Sequence, residues 1–196
     1  MNRAAFVMLM CLALSPVARA QDPTDRHPTP TPEQVAPKAN LPLNPQGEGP
    51  LEADVWVGEK APDFQLDGSR GEPVRLSDLK GHWAVLVFDE SRTRLANLKS
   101  ICGDLTKLDV QPYGVSRDGW AALRAFADRE QLPYLLLSDL TGEISQIYGM
   151  YDGTNQAIQS GFVLLDPQGV VRTVLLGQAL HAPEILQLVR HSVTGA

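Results

Sequence analysis

A mixed sheet with helices on both faces, an α/β fold, is what this sequence predicts, and three observations carry the prediction. His82 to Phe88 is an apolar run rich in β-branched and aromatic residues, entered after Gly81 and left at Asp89-Glu90-Ser91, which is the pattern of a buried central strand. Leu95, Leu98, Ile101, Cys102, Leu105 and Leu108 then recur at three- and four-residue steps, one apolar stripe on a helix of about four turns. Val110 to Val115 follows as a second strand, and segments of the two periods go on alternating to the end of the chain. A strand, a crossover helix and a parallel strand require the helix to pack on the sheet. Chemistry in such a unit belongs at the strand's carboxyl edge, between Asp89 and Asn97.

Residues 1–20 read as a leader and are set apart from the fold. Arg3 supplies a positive start, Ala4 to Leu14 is apolar, Ser15-Pro16 breaks the run and Ala18-Arg19-Ala20 is a small-residue cleavage site. The apolar run is far shorter than the roughly 20 residues needed to span a bilayer, so the expectation is export to a periplasmic or extracellular compartment, with no membrane insertion after cleavage. Loss of the leader removes Arg3, Arg19 and no acid, leaving 15 basic against 23 acidic residues, a formal charge of −8. That excludes nucleic acid and anionic membrane as natural partners. Cys11 goes with the leader, so Cys102 is the single cysteine of the exported chain, and no intramolecular disulfide can form in it.

Residues 21–50 carry Pro23, Pro28, Pro30, Pro32, Pro37, Pro42, Pro45 and Pro50 and few large apolar side chains. Such a segment cannot bury enough surface to offset its ordering entropy. It reads as a linker or tail, with a proline-recognition ligand as the alternative use. Residues 51–196, about 145 residues, are enough for one domain with its own core.

Within that domain Phe64 to Leu66 and Val74 to Leu76 flank Asp67 to Gly71 as an N-terminal β-hairpin. Ser77 to Lys80 is a short helical turn. Trp120, Leu123, Phe126 and Ala127 mark a helix ending near Glu130, Tyr134 to Leu137 is a strand, and Gly142 to Tyr148 is a short helix closed by Gly149. Phe162 to Leu165 and Val170 to Leu175 pair around Asp166-Pro167-Gln168-Gly169, with glycine where a positive φ falls. Ala182 to Val193 is the last helix, with Pro183 in its first turn.

Several of these stretches together resemble a known family. Val57-Gly58-Glu59-Lys60-Ala61-Pro62-Asp63-Phe64, Val74 to Gly81, Gly114-Val115-Ser116-Arg117-Asp118, Leu132 to Asp139 and Phe162 to Arg172 are similar, in order, to the alkyl hydroperoxide reductase and thiol-specific antioxidant family of peroxiredoxins. The nearest branch is the monomeric bacterioferritin-comigratory type. The resemblance implies a thioredoxin-like fold and nucleophilic attack of a thiolate on a peroxide. The family's cysteine stands in the first turn of the helix, in a P-x-x-x-T-x-x-C loop, with an arginine beside it. Helix dipole, backbone N–H groups and that arginine lower the thiol pKa.

This sequence departs from the pattern at that loop. Aligned outward from Phe88, the cysteine position falls near Asn97 and Cys102 lands where some relatives keep a second, resolving cysteine. Aligned backward from Leu105 and Gly114, it falls near Ser91, with Ala96 at the resolving site. The backward register is preferred, because surface loops absorb deletions more readily than packed helices, and Phe88 to Gly114 is about six residues shorter than the family's segment. In either register no cysteine stands there, and the family's arginine aligns with Ser160, so its charge is missing as well.

The resulting expectation is a chain that is not an enzyme. It would be a binding or scaffold module meeting a protein partner through its active face, Asp89, Glu90, Ser91, Asn97 and Ser160, or through the proline-rich tail. The alternative is an antioxidant or thiol-disulfide oxidoreductase acting through Cys102. That residue lies on the apolar stripe, and its bland reading is a small buried hydrophobe with a raised pKa. Arg92 and Arg94 read as a solvated helix face. His27, His82, His181 and His191 show no metal-ligand spacing, and no cofactor is expected. Asp89, Glu90 and Ser91 lack a histidine partner for a triad. Asp89-Glu90 is expected to satisfy the helix N-terminus, and Trp83, Trp120 and Tyr148 to pack.

Overall fold

The computed structural model describes residues 55–195. The expected leader and proline-rich segment lie outside the described residues. A single large sheet carries the site. It has seven strands in the order β2-β1-β5-β4-β3-β8-β9, where β1 is Gln65–Gly68, β2 Pro73–Arg75, β3 Trp83–Phe88, β4 Val110–Ser116, β5 Leu135–Ser138, β8 Gly161–Leu165 and β9 Val171–Leu175. A separate two-stranded pair, β6 (Tyr151–Asp152) with β7 (Ala157–Ile158), lies between β5 and β8 in the chain. β3, β4 and β5 run parallel, whereas β1, β8 and β9 join antiparallel. This is the mixed α/β sheet of a thioredoxin-like fold, with the hairpin β1–β2 at one edge.

Period-two alternation splits β3 between two cores. Leu86 and Phe88 pack with Phe64, Leu66, Tyr148 and Met150 on one face. Val85 and Val87 pack with Leu95, Leu98, Leu105, Leu123, Phe162, Ile185 and Val189 on the other. The second face is covered by helices α1 (Arg92–Asn97), α2 (Cys102–Lys107), α3 (Trp120–Glu130) and α5 (Ala182–Thr194); α4 (Glu143–Ile147) follows β5. The expected four-turn helix is real but starts earlier, at Arg92, and tightens to a 3-10 turn over Leu98–Ile101. Its start is fixed by Ser91, whose Oγ accepts from the Arg94 N–H at 3.4 Å, an N-cap in the ordinary sense.

Close approach of that helix to the sheet depends on Gly114, where a Cβ would stand 2.7 Å from Leu136 Cδ2 and 3.1 Å from Leu95 Cδ2. The turn after β8 is as expected: Asp166 Oδ1 accepts from the N–H groups of Gln168 and Val170, both at 2.9 Å, and Gly169 has φ +77. Tyr148 packs as expected, fully buried, and its hydroxyl donates to the Pro62 carbonyl at 2.7 Å. Trp120 does not, being 42% exposed at the first position of α3. No described helix is long and apolar enough to cross a membrane.

Candidate functional site

The register of β3 against β8 builds the site. Phe88 pairs with Gly161, so the next residues outward, Asp89 and Ser160, face each other across the carboxyl edge of the sheet. Asp89 is 3% exposed. A carboxylate so placed requires counter-charge and donors, and three groups supply them. The Ser91 N–H donates to Asp89 Oδ1 at 2.7 Å. Arg94, one turn into α1, reaches back as a fork, Nε to Oδ2 at 2.6 Å and Nη2 to Oδ1 at 2.8 Å. The same Nη2 donates to Ser160 Oγ at 3.2 Å. The bond to Asp89 raises the guanidinium's already high pKa, so the cation is permanent.

This corrects one expectation: Arg94 is not merely a solvated helix face but the counter-ion of a buried carboxylate. Ser160 itself carries no charge, and its hydroxyl accepts from Arg94 Nη2. Arg92 makes a second fork, to Asp118 after β4, Nε to Oδ2 at 2.7 Å and Nη2 to Oδ1 at 2.8 Å. That pair raises Arg92 and lowers Asp118, through the side-chain hydrogen bond first. The first turn of α1 is thus tied to the ends of both β3 and β4.

Of the active-face positions, Asp89, Ser91 and Ser160 are therefore brought together, with Arg94 as the residue that joins them. Glu90 points elsewhere, its Oε1 accepting from the Ile158 N–H of β7 at 2.9 Å. Asn97 lies with Arg94 on the wall of a cleft of about 230 Å³, together with Ser100 and the segment Leu180 to Pro183 leading into α5. No sequence signal linked Arg94 to Ser160, 66 residues apart; the strand register alone could have found it.

Cys102 stands apart from this cluster. It is half-buried at the start of α2, packed against the core, rather than the small buried hydrophobe expected. Its Sγ–H donates to the Leu98 carbonyl at 3.3 Å. Burial pushes its pKa up, since desolvation disfavours the thiolate. Tyr134 lies close enough for the two to interact, its hydroxyl donating to the Leu95 carbonyl and its own pKa raised by burial and then by Cys102. The arrangement holds a protonated thiol at the edge of the core and a fixed cation at the edge of the sheet.

Residues 57–174 match the family described as AhpC/TSA. The chain is 32% identical over 132 residues to a putative peroxiredoxin bcp of Coxiella burnetii, covering 61% of this chain and 87% of that one. It is 32% identical over 103 residues to peroxiredoxin Bcp of Bacillus subtilis, covering 50% and 66% respectively. Among solved structures, peroxiredoxin Q of Xanthomonas campestris superposes with a TM-score of 0.64 at 20% identity, covering 72% of this chain and 99% of that one. AhpC of Enterococcus faecalis gives 0.64 at 21%, covering 70% and 92%. At those identities the superpositions speak for the fold.

Proposed function

Because this chain belongs to the AhpC/TSA family, we propose that it is a peroxiredoxin-like thiol oxidoreductase of the bacterioferritin-comigratory branch, with Cys102 as its redox group and no cysteine at the family's usual position. The expectation of a chain that is not an enzyme is overturned by the relatives: peroxiredoxins match it across most of the domain. That expectation rested chiefly on the missing cysteine, and no cysteine stands at the family's position.

The observation that carries the proposal is that Cys102 is the one cysteine from Gln21 onward and keeps part of its surface open. The cycle needs two external thiols, because no second cysteine is available to resolve the first intermediate. The Cys102 thiolate attacks a hydroperoxide; the O–O bond breaks, sulfur is oxidised to the sulfenic acid and the alcohol leaves after taking up a proton. One external thiol displaces water to give a mixed disulfide, and a second releases Cys102 with formation of the external disulfide. With a pKa raised above the ordinary thiol value, only a small fraction of Cys102 is thiolate at neutral pH, so the cycle is slow there and speeds up with pH. The leader-like residues 1–20 support an exported site of action.

Intact-mass analysis after exposure to a small hydroperoxide tests this. A one-oxygen adduct trapped by dimedone in the native chain and absent from Cys102→Ser is the expected result. A native chain that stays unmodified while folded would overturn the assignment.

A further inference from the structure

The cleft between α1 and the start of α5 has a volume of about 230 Å³, room for a small molecule. Its polar wall is Arg94, Asn97 and Ser100, three residues apart in sequence and so on one face of the helical run. Its other wall is Leu180, His181, Ala182 and Pro183, mostly apolar.

The hydrogen-bond inventory of the polar wall is unbalanced toward donors. Arg94 spends Nε and Nη2 on Asp89 and Ser160, and no bond among the described residues uses Nη1, while 41% of the side chain stays exposed. The Asn97 side-chain amide likewise makes no described bond; its backbone carbonyl accepts from Ser100 Oγ at 2.7 Å. The two carboxylates nearby are already engaged. Both Asp89 oxygens face Arg94, and Glu184 Oε2 accepts from the His181 N–H at 2.8 Å.

We propose that this cleft binds a small monocarboxylate, with the carboxylate on Arg94 Nη1 and the Asn97 amide and the short hydrocarbon part against Leu180 and Pro183. A planar carboxylate matches the edge of a guanidinium. Arg94 is the one permanently charged cation of the lining, with His181 on the opposite wall, which suits one negative charge rather than two, and Leu180, Ala182 and Pro183 account for a carbon chain. The site goes beyond the thiol chemistry and does not rest on it.

The test is an NMR titration of the ¹⁵N-labelled full chain, native and Cys102→Ser alike, with propanoate as the probe and propanamide and inorganic phosphate beside it. Propanoate should give saturable shifts at the Asn97 side-chain amide and at the backbone of Asn97, Ser100 and Ala182, and none with propanamide. Asn97→Leu, a change at an exposed position, should weaken binding by about tenfold or more through loss of a hydrogen bond to a charged group. Shifts that stay linear, that are equal with propanamide, or that are scattered over the molecule's other arginines would overturn the proposal. Phosphate binding tighter than propanoate would overturn the monocarboxylate assignment.

Discussion

Replacing Arg94 by Gln removes the counter-ion of a carboxylate that is only 3% exposed as a residue. Breaking a fully buried pair by deleting one partner costs about 3–5 kcal/mol, because the remaining charge is uncompensated. Here the Arg94 side chain is 41% exposed, water reaches one side of the pair, and the Ser91 N–H still donates to Asp89, so about 2–3 kcal/mol is expected. For a domain of this size that lowers Tm by roughly 4–12 °C. Urea denaturation followed by circular dichroism measures it, with the midpoint moving and the slope unchanged. Asp89→Asn should cost less, about 1–2 kcal/mol, since the half-exposed guanidinium left behind is solvated. The double variant should recover part of the sum, which is the mark of coupled neighbours. A loss below about 0.5 kcal/mol in Arg94→Gln, the range of exposed surface pairs, would refute the reading of Arg94 as the partner that anchors Asp89 at the sheet edge.

Other consequences follow from single residues. Alkylation of Cys102 should accelerate about tenfold per pH unit across the neutral range, since burial raises its pKa and the thiolate is the nucleophile; a rate already level at pH 7 would contradict this. A raised folded pKa also means that the folded state holds its proton longer. The associated stability is therefore complete below the ordinary thiol pKa of about 8.5 and is lost as pH rises beyond it, an alkaline loss that Cys102→Ser should reduce in denaturation curves. Gly114→Ala should destabilise by about 1–3 kcal/mol through overpacking against Leu136 and Leu95. Gly103→Ala, in helix α2 with open space around the added carbon, should stabilise by about 0.5–1 kcal/mol. Tyr148→Phe, which orphans the Pro62 carbonyl, should cost about 1 kcal/mol by thermal melting.

What the sequence made legible is what repeats along it. The apolar run of β3, the stripe Leu95-Leu98-Leu105 and the Asp166–Gly169 turn each carry a local period or a turn residue, and each appears where expected. The β6–β7 pair was missed because two-residue strands have no period to read. The site was half legible: Asp89 follows from the strand's carboxyl edge, while Ser91 and Ser160 come from aligning the family's cysteine and arginine positions. Arg94 was misjudged because its partner Asp89 is five residues away and Ser160 sixty-six, and neither separation is a helical spacing. The expectation about activity rested on the cysteine missing from the family's position, and the peroxiredoxin relatives overturn it.

Steady-state removal of a hydroperoxide in the presence of a small external thiol, native chain against Cys102→Ser, tests the central claim most directly. The account predicts slow turnover that rises with pH and disappears in the variant. Turnover that survives Cys102→Ser unchanged, or a native chain with none at any pH where it remains folded, would contradict it.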